Sequence, residues 1–175
     1  MGAAADALAP GEEAKLAGLA DNLGAAIAAR NCVCLTGATT GLPDLVARAA
    51  RRNGALTLGI SPAMSRREHS EHYHLPEDAS ELMIYTGFGL KGRNVVTIRS
   101  CDVVIIFGGA TGTLNEFTIA YDEGKIIGVL QGSGGIADHI EEVIDFCRKP
   151  TLASVFFSND PHVLLDQCLT GLRGH

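Results

Sequence analysis

Six short apolar runs punctuate the chain: CVCLT (32–36), ALTLGIS (55–61), ELMIYT (81–86), DVVIIF (102–107), IIGVL (126–130) and SVFFS (154–158). Runs of this length, rich in Val, Ile and Leu, read as buried strands, and the segments between them read as helices. A helix between two strands returns the chain to the edge from which the first strand started, so consecutive strands run the same way. The alternation therefore predicts an α/β fold, a mostly parallel sheet with helices on both faces. Leu16, Leu19, Leu23 and Ile27 recur at helical spacing, which predicts an amphipathic helix over about residues 11 to 30. GATTGLPDLVARAARRNG (37–54) reads as a Gly-rich turn, a helix with Pro43 at its first position, and Gly54 capping its end. Further helices are expected near residues 89–99, 112–124, 136–147 and 160–172, and no strand is expected before residue 12.

At 175 residues the chain fits a single domain, 1–175, large enough to bury a core without disulfides or a structural metal. With 14 basic and 20 acidic residues its net charge is -6, and it has no dense Lys/Arg run, which argues against nucleic acid as a partner. No apolar run approaches the ~20 residues needed to cross a bilayer, and no basic leader precedes a hydrophobic one. The expectation is a soluble, cytoplasmic protein with no membrane partner. The five cysteines are odd in number and scattered, with Cys32 and Cys34 on one face of a strand; buried thiols are the main reading and a metal or redox role the lesser one.

In such a sheet ligands bind at the carboxyl ends of the strands. Two Gly-rich turns are expected there. The first, at 37–42, offers Gly37, Thr39 and Gly41, and the second, at 108–113, offers Gly108, Gly109, Thr111, Gly112 and Thr113. In the second, the amides of Gly112, Thr113 and Leu114 should open a helix and point outward, a natural seat for a phosphate. The same residues have a purely structural reading: Thr113-x-x-Glu116 has the spacing of a capping box, in which Glu116 only starts the helix.

The longer pattern from Gly92 to Gly124, with Arg93, Asp102 and GGATGTLNE in order, resembles the Lonely Guy phosphoribohydrolases and the related molybdenum cofactor carrier proteins. GATTGL followed by ALTLGISP is similar to an earlier signature of the same group, and the likeness covers about residues 12 to 148. Gly108-Gly109-Ala110 stands where the family has Pro-Gly-Gly, and the strand that normally opens the family is missing from the pattern. The resemblance implies a Rossmann-like, doubly wound fold and cleavage of the N-glycosidic bond of a purine-type nucleoside 5'-monophosphate. Arg93 and Glu116 would be the catalytic pair, the two turns would hold the nucleotide, and no cofactor or metal would be needed. It also implies a homodimer or higher homo-oligomer with helices from the middle of the chain across a two-fold axis. Two other readings stand beside it: a carrier that binds a nucleotide or the molybdenum cofactor without turnover, and a scaffold in which Arg93 and Glu116 form an ordinary ion pair.

PAMSRREHSEHYHLPEDAS (62–80) lacks periodicity and reads as a long loop. Its His69, His72 and His74, with Glu68 and Glu71, admit three roles: a cation site without structural-zinc spacing, a lid, or a solvated loop, the last being preferred. Tyr85, Thr86 and Phe88 end a strand at the ligand edge, where an aromatic ring stacks on a base or packs in the core.

Overall fold

The computed structural model describes residues 1–2 and 13–174. All six expected strands form: β1 (Cys34–Thr36), β2 (Thr57–Ser61), β3 (Leu82–Tyr85), β4 (Val103–Phe107), β5 (Ile126–Leu130) and β6 (Ser154–Ser158). Among the described residues six α-helices accompany them, one between each pair of consecutive strands except β2 and β3: α1 (Glu13–Ala29), α2 (Leu42–Arg52), α3 (Gly89–Arg99), α4 (Thr111–Asp122), α5 (Ile140–Cys147) and α6 (Pro161–Leu172). Every strand pair is parallel, in two three-stranded sheets ordered β1-β2-β3 and β4-β5-β6. This is an α/β Rossmann-like fold with helices on both faces.

Strand alternation sorts the core into two layers. Ile105 and Phe107 of β4 pack with Leu16, Leu23, Leu42, Val46 and Leu164 from α1, α2 and α6. Val104 and Ile106 face the other way, onto Ile98, Phe117, Ala120 and Ile140 from α3, α4 and α5. A period of two along one strand thus feeds two separate cores. Leu16 and Leu23 of the predicted stripe are buried, and Leu19 and Ile27 flank the same cluster.

Several local expectations shift. Pro43 is the second residue of α2 rather than the first, and Gly41 precedes the helix at φ 81°. Gly54 ends α2 as expected, at φ 89°, with its amide on Arg51 O at 3.0 Å. The stretch at 62–80 is not an open loop: it contains a π-helical turn, Glu68–His72, and buries His69 completely. The His69 ring lies between Ser61 Oγ, 2.8 Å from Nδ1, and Pro76 O, 3.0 Å from Nε2. Donation from Nε2 to the carbonyl leaves Nδ1 to accept from the serine hydroxyl, so this histidine pins the segment to the end of β2.

The chain's first residues also depart from expectation. Met1 and Gly2 lie against β4, with Phe107 N donating to Met1 O at 2.8 Å and Gly2 bridged to Phe107 in parallel register. The rest of the segment before residue 12 lies outside the described residues.

Candidate functional site

The carboxyl ends of β1 and β4 face each other across a groove of about 270 Å³. Gly37 and Thr39 enter it from the turn after β1, and Lys91, Arg93 and Asn94 from α3. Gly112, Thr113 and Glu116 enter from α4. Of the residues singled out in the sequence, Arg93, Glu116, Gly37, Thr39, Gly112 and Thr113 line this groove. Gly41, Gly108, Gly109 and Thr111 do not. Gly41 only precedes α2. Gly108 and Gly109, at φ 57° and 94°, turn the chain against a 3-10 turn at Gly135–His139. Their carbonyls accept from Ala137 N at 3.1 Å and Ile136 N at 2.8 Å, which spends them on packing.

The start of α4 differs from the capping-box reading. The helix begins at Thr111 with Ala110 as its N-cap, and no side chain caps it. Thr113 is therefore already the third helical residue, and its hydroxyl donates to Gly2 O at 3.3 Å. Leu114 N is the first amide inside the helix, donating to Ala110 O at 2.9 Å, so the free amides are those of Thr111, Gly112 and Thr113 rather than Gly112 to Leu114. Glu116 lies a further turn along. It is no cap, and its side chain faces the groove.

Glu116 and Arg93 are both buried, with side chains 9% and 6% exposed, and Arg93 Nη1 stands 3.8 Å from Glu116 Oε1. At that distance they attract without a hydrogen bond. Arg93 Nε is buried with no hydrogen-bond partner among the described residues, an unspent donor beside the groove. Gly37 makes room for this arginine, because a Cβ there would sit 1.5 Å from Nη1. Burial raises the Glu116 carboxyl above its ordinary pKa, against the pull of the Met1 ammonium, Arg93 and Lys91. Burial likewise lowers the Arg93 pKa, with Glu116 opposing. Arg93 thus favours the ionised Glu116, as its position in the sequence led one to expect, but desolvation outweighs it.

Two groove residues escaped the sequence reading. Lys91 Nζ lies 3.7 Å from where a Cβ on Gly112 would sit, which sets an ammonium before the free amides of α4. Lys91 and Arg93 are two apart on a helix, a spacing that carries no shared-face signal. Asn94, turned so that its amide nitrogen meets its acceptors, donates to Glu116 Oε1 at 3.3 Å and to Leu90 O at 3.1 Å. Tyr85 and Phe88 are absent from the groove wall: Tyr85 meets His69 edge-on at 6.1 Å, and Phe88 is 64% exposed. No group of three or more His, Cys, Asp or Glu among the described residues is arranged to hold a metal. Buried thiols are pushed up, Cys34 to about 11 and Cys168 to about 12. They are poor thiolates. No helix among the described residues is long and apolar enough to cross a membrane.

The fold recurs in solved structures. The structural-genomics target TM1055 superposes with a TM-score of 0.81 at 24% identity, over 98% of this chain and 96% of that one. The molybdenum cofactor binding protein of Rippkaea orientalis gives 0.68 at 26% identity, over 91% and 86%. The molybdenum cofactor carrier protein of Chlamydomonas reinhardtii gives 0.72 at 22%, over 100% and 96%. An uncharacterized protein of Archaeoglobus fulgidus is 29% identical over 135 residues, 74% of this chain and 83% of that protein. The model of the SLOG cluster4 family matches residues 1–165, nearly the whole length, and the chain belongs to that family.

Proposed function

We propose that the groove binds a nucleoside 5'-monophosphate and hydrolyses its N-glycosidic bond. The observation that carries this reading is the buried, loosely paired Arg93 and Glu116 opening onto an uncapped helix end. The phosphate sits on the amides of Gly112 and Thr113, where the α4 dipole and the Lys91 ammonium both favour an anion. The groove's volume, about 270 Å³, falls just below the ~300–1,000 Å³ of ordinary small-molecule pockets. It suits a sugar phosphate and leaves the base toward the mouth.

In the reaction the C1'–N bond breaks, water gives its hydroxyl to C1', and its remaining proton passes by way of Glu116 to the nitrogen of the departing base. Positive charge grows on the ribose and negative charge on the base. Glu116 answers the first charge and accepts the water proton, a task for which a carboxylate of raised pKa is suited. Arg93, with Nη1 3.8 Å from Glu116 Oε1, keeps the carboxylate oriented. A panel of purine and pyrimidine monophosphates, assayed by chromatography for free base and ribose 5-phosphate, tests this directly. Release of base from at least one member is expected.

The second reading is a carrier that holds its ligand without turnover. It is favoured by the likeness to the molybdenum cofactor binding protein of Rippkaea orientalis. It takes over if calorimetry detects nucleotide or cofactor binding while no monophosphate is cleaved.

A further inference from the structure

Asparagine is a weak helix former, and an amide taken out of water is costly unless its donors and its acceptor are matched. Asn94 nonetheless stands inside α3, next to Arg93 and 4% exposed. Three polar groups meet its side chain: Leu90 O, one turn back along the same helix, and Glu116 Oε1 and the Asn115 amide, both on α4.

Leu90 O settles which way the Asn94 amide points. A backbone carbonyl only accepts, so the Asn94 atom 3.1 Å from it is the nitrogen. That same nitrogen lies 3.3 Å from Glu116 Oε1. The Asn94 oxygen is left to Asn115, 2.8 Å away, which turns its own amide to donate. Donation thus runs one way, from Asn115 through Asn94 to Glu116. The reverse order would set the Asn94 oxygen against the Leu90 carbonyl and an ionised Glu116 together.

Glu116 therefore takes its charge partners and its hydrogen bond from different neighbours. Arg93 Nη1, 3.8 Å from Oε1, is too far to donate, and Lys91 and the Met1 ammonium also act by charge. The Cys101 thiol lies within the field of Glu116, but burial pushes its pKa up and keeps it neutral. Asn94 is the uncharged donor of the set. Such a donor stabilises a carboxylate more than a neutral acid, so it works against the desolvation that raises the Glu116 pKa. We propose that Asn94 is a positioning residue for Glu116: its amide, locked in direction by Leu90 O, donates to Oε1, fixes the carboxylate, and leaves Oε2 to meet the water and the ribose. Its catalytic consequence rests on the hydrolase reading of the groove; the hydrogen bond and its effect on the carboxylate do not. A purely structural Asn94 would only tie α3 to α4 through Asn115.

The test compares the parent with three variants. Asn94→Leu is nearly isosteric and cannot donate, and Asn94→Asp keeps the shape but presents acceptors. Asn115→Ala cuts the tie to α4 and leaves the donor to Glu116 in place. The Glu116 carboxyl is titrated without ligand by NMR of protein labelled with carbon-13 at the glutamate carboxyls, its resonance identified by its loss in Glu116→Gln. The midpoint is expected to rise by about one pH unit in Asn94→Leu, further in Asn94→Asp, and by less than about a third of a unit in Asn115→Ala. The acid limb of kcat/KM for a cleaved monophosphate should move with it, so that a roughly tenfold loss on the acid side in Asn94→Leu is recovered at high pH. An unmoved or lowered midpoint in Asn94→Leu overturns the proposal. So does a shift in Asn115→Ala as large as that in Asn94→Leu, the mark of a helix tie alone. Where Asn94→Leu fails to fold, Asn94→Asp decides by the same rule. A protein that cleaves no monophosphate fells the hydrolase reading, while the titration still decides Asn94.

Discussion

Glu116 is held where two influences oppose: the protein around it disfavours its charge, and Arg93, Lys91 and the Met1 ammonium favour it. The first prevails, and this has a consequence for stability. A carboxyl whose folded-state pKa is raised binds its proton more tightly in the native state than in the unfolded one. Its contribution is full below the ordinary carboxylate pKa and is lost as pH rises through the raised value. Glu116→Gln has no proton to lose. The unfolding free energy of this variant, relative to wild type, is therefore expected to shift in the variant's favour between about pH 4 and about pH 7, as measured by urea titration. A shift the other way means that Arg93 dominates and the carboxyl is an ordinary ion-pair partner. For the reaction, the same substitution keeps shape but removes the charge that answers the ribose. Under the hydrolase reading it lowers kcat at least a hundredfold, about 2.7 kcal/mol, with nucleotide affinity largely retained. Unchanged turnover of the best substrate would falsify the mechanism.

At the scale of elements, α4 and the turn after β1 do different work with their glycines. Gly37 is filled space: any side chain meets the Arg93 guanidinium. Gly37→Ala is expected to displace Arg93, lower stability by about 1–3 kcal/mol through overpacking, and reduce turnover more than tenfold. Gly112 is open space, with Lys91 Nζ as its nearest neighbour at 3.7 Å. Gly112→Ala should therefore fold like the parent, within about 0.5 kcal/mol, yet weaken phosphate or nucleotide binding severalfold in calorimetry, because the new methyl lies before the free amides. Equal affinity for both proteins would remove the anion from that helix end. These two elements also mark how far the sequence could be read. The six strands and their helices were legible because aliphatic runs of five to seven residues admit few other readings. Arg93 and Glu116 were legible through their place in a long family pattern. The first turn of α4 was not. Thr113 and Glu116 have the spacing of a capping box, but the chain enters the helix earlier, at Ala110, because Ile136 and Ala137 hold the carbonyls of Gly109 and Gly108. A contact from so far along the chain leaves no local trace. The burial of His69 is of the same kind, fixed by Ser61 and Pro76 on either side of its ring.

For the molecule as a whole, a chain of net charge -6 that receives an anion has to concentrate positive charge locally, and Lys91, Arg93 and the amino terminus of Met1 converge on one groove. Long-range steering therefore opposes ligand entry, while short-range contacts favour it. Added salt should accelerate association of a nucleoside monophosphate rather than slow it, as stopped-flow rates at two ionic strengths would reveal. The apolar surface is also uneven. Leu82 and Ile84, alternate residues on one face of β3, are 53% and 48% exposed. β3 stands at the outer edge of its sheet, and the chain leaving it carries Phe88 and Leu90, which are exposed as well. Exposed aliphatics on a sheet edge that runs into α3 suit a contact with a second copy, and Leu90 also lines the groove. We propose that the chain forms a homodimer through this face, with the mouths of the two grooves close to the two-fold axis. Light scattering at micromolar concentration should give twice the 18.3 kDa of the chain. Replacing Ile84 by Lys on this half-exposed position should return the monomer with little loss of fold, as judged by circular dichroism, because the side chain it replaces is already half in water. A parent that is monomeric at that concentration excludes the dimer. A dimer that survives Ile84→Lys, together with Phe88→Asp, places the contact on another face.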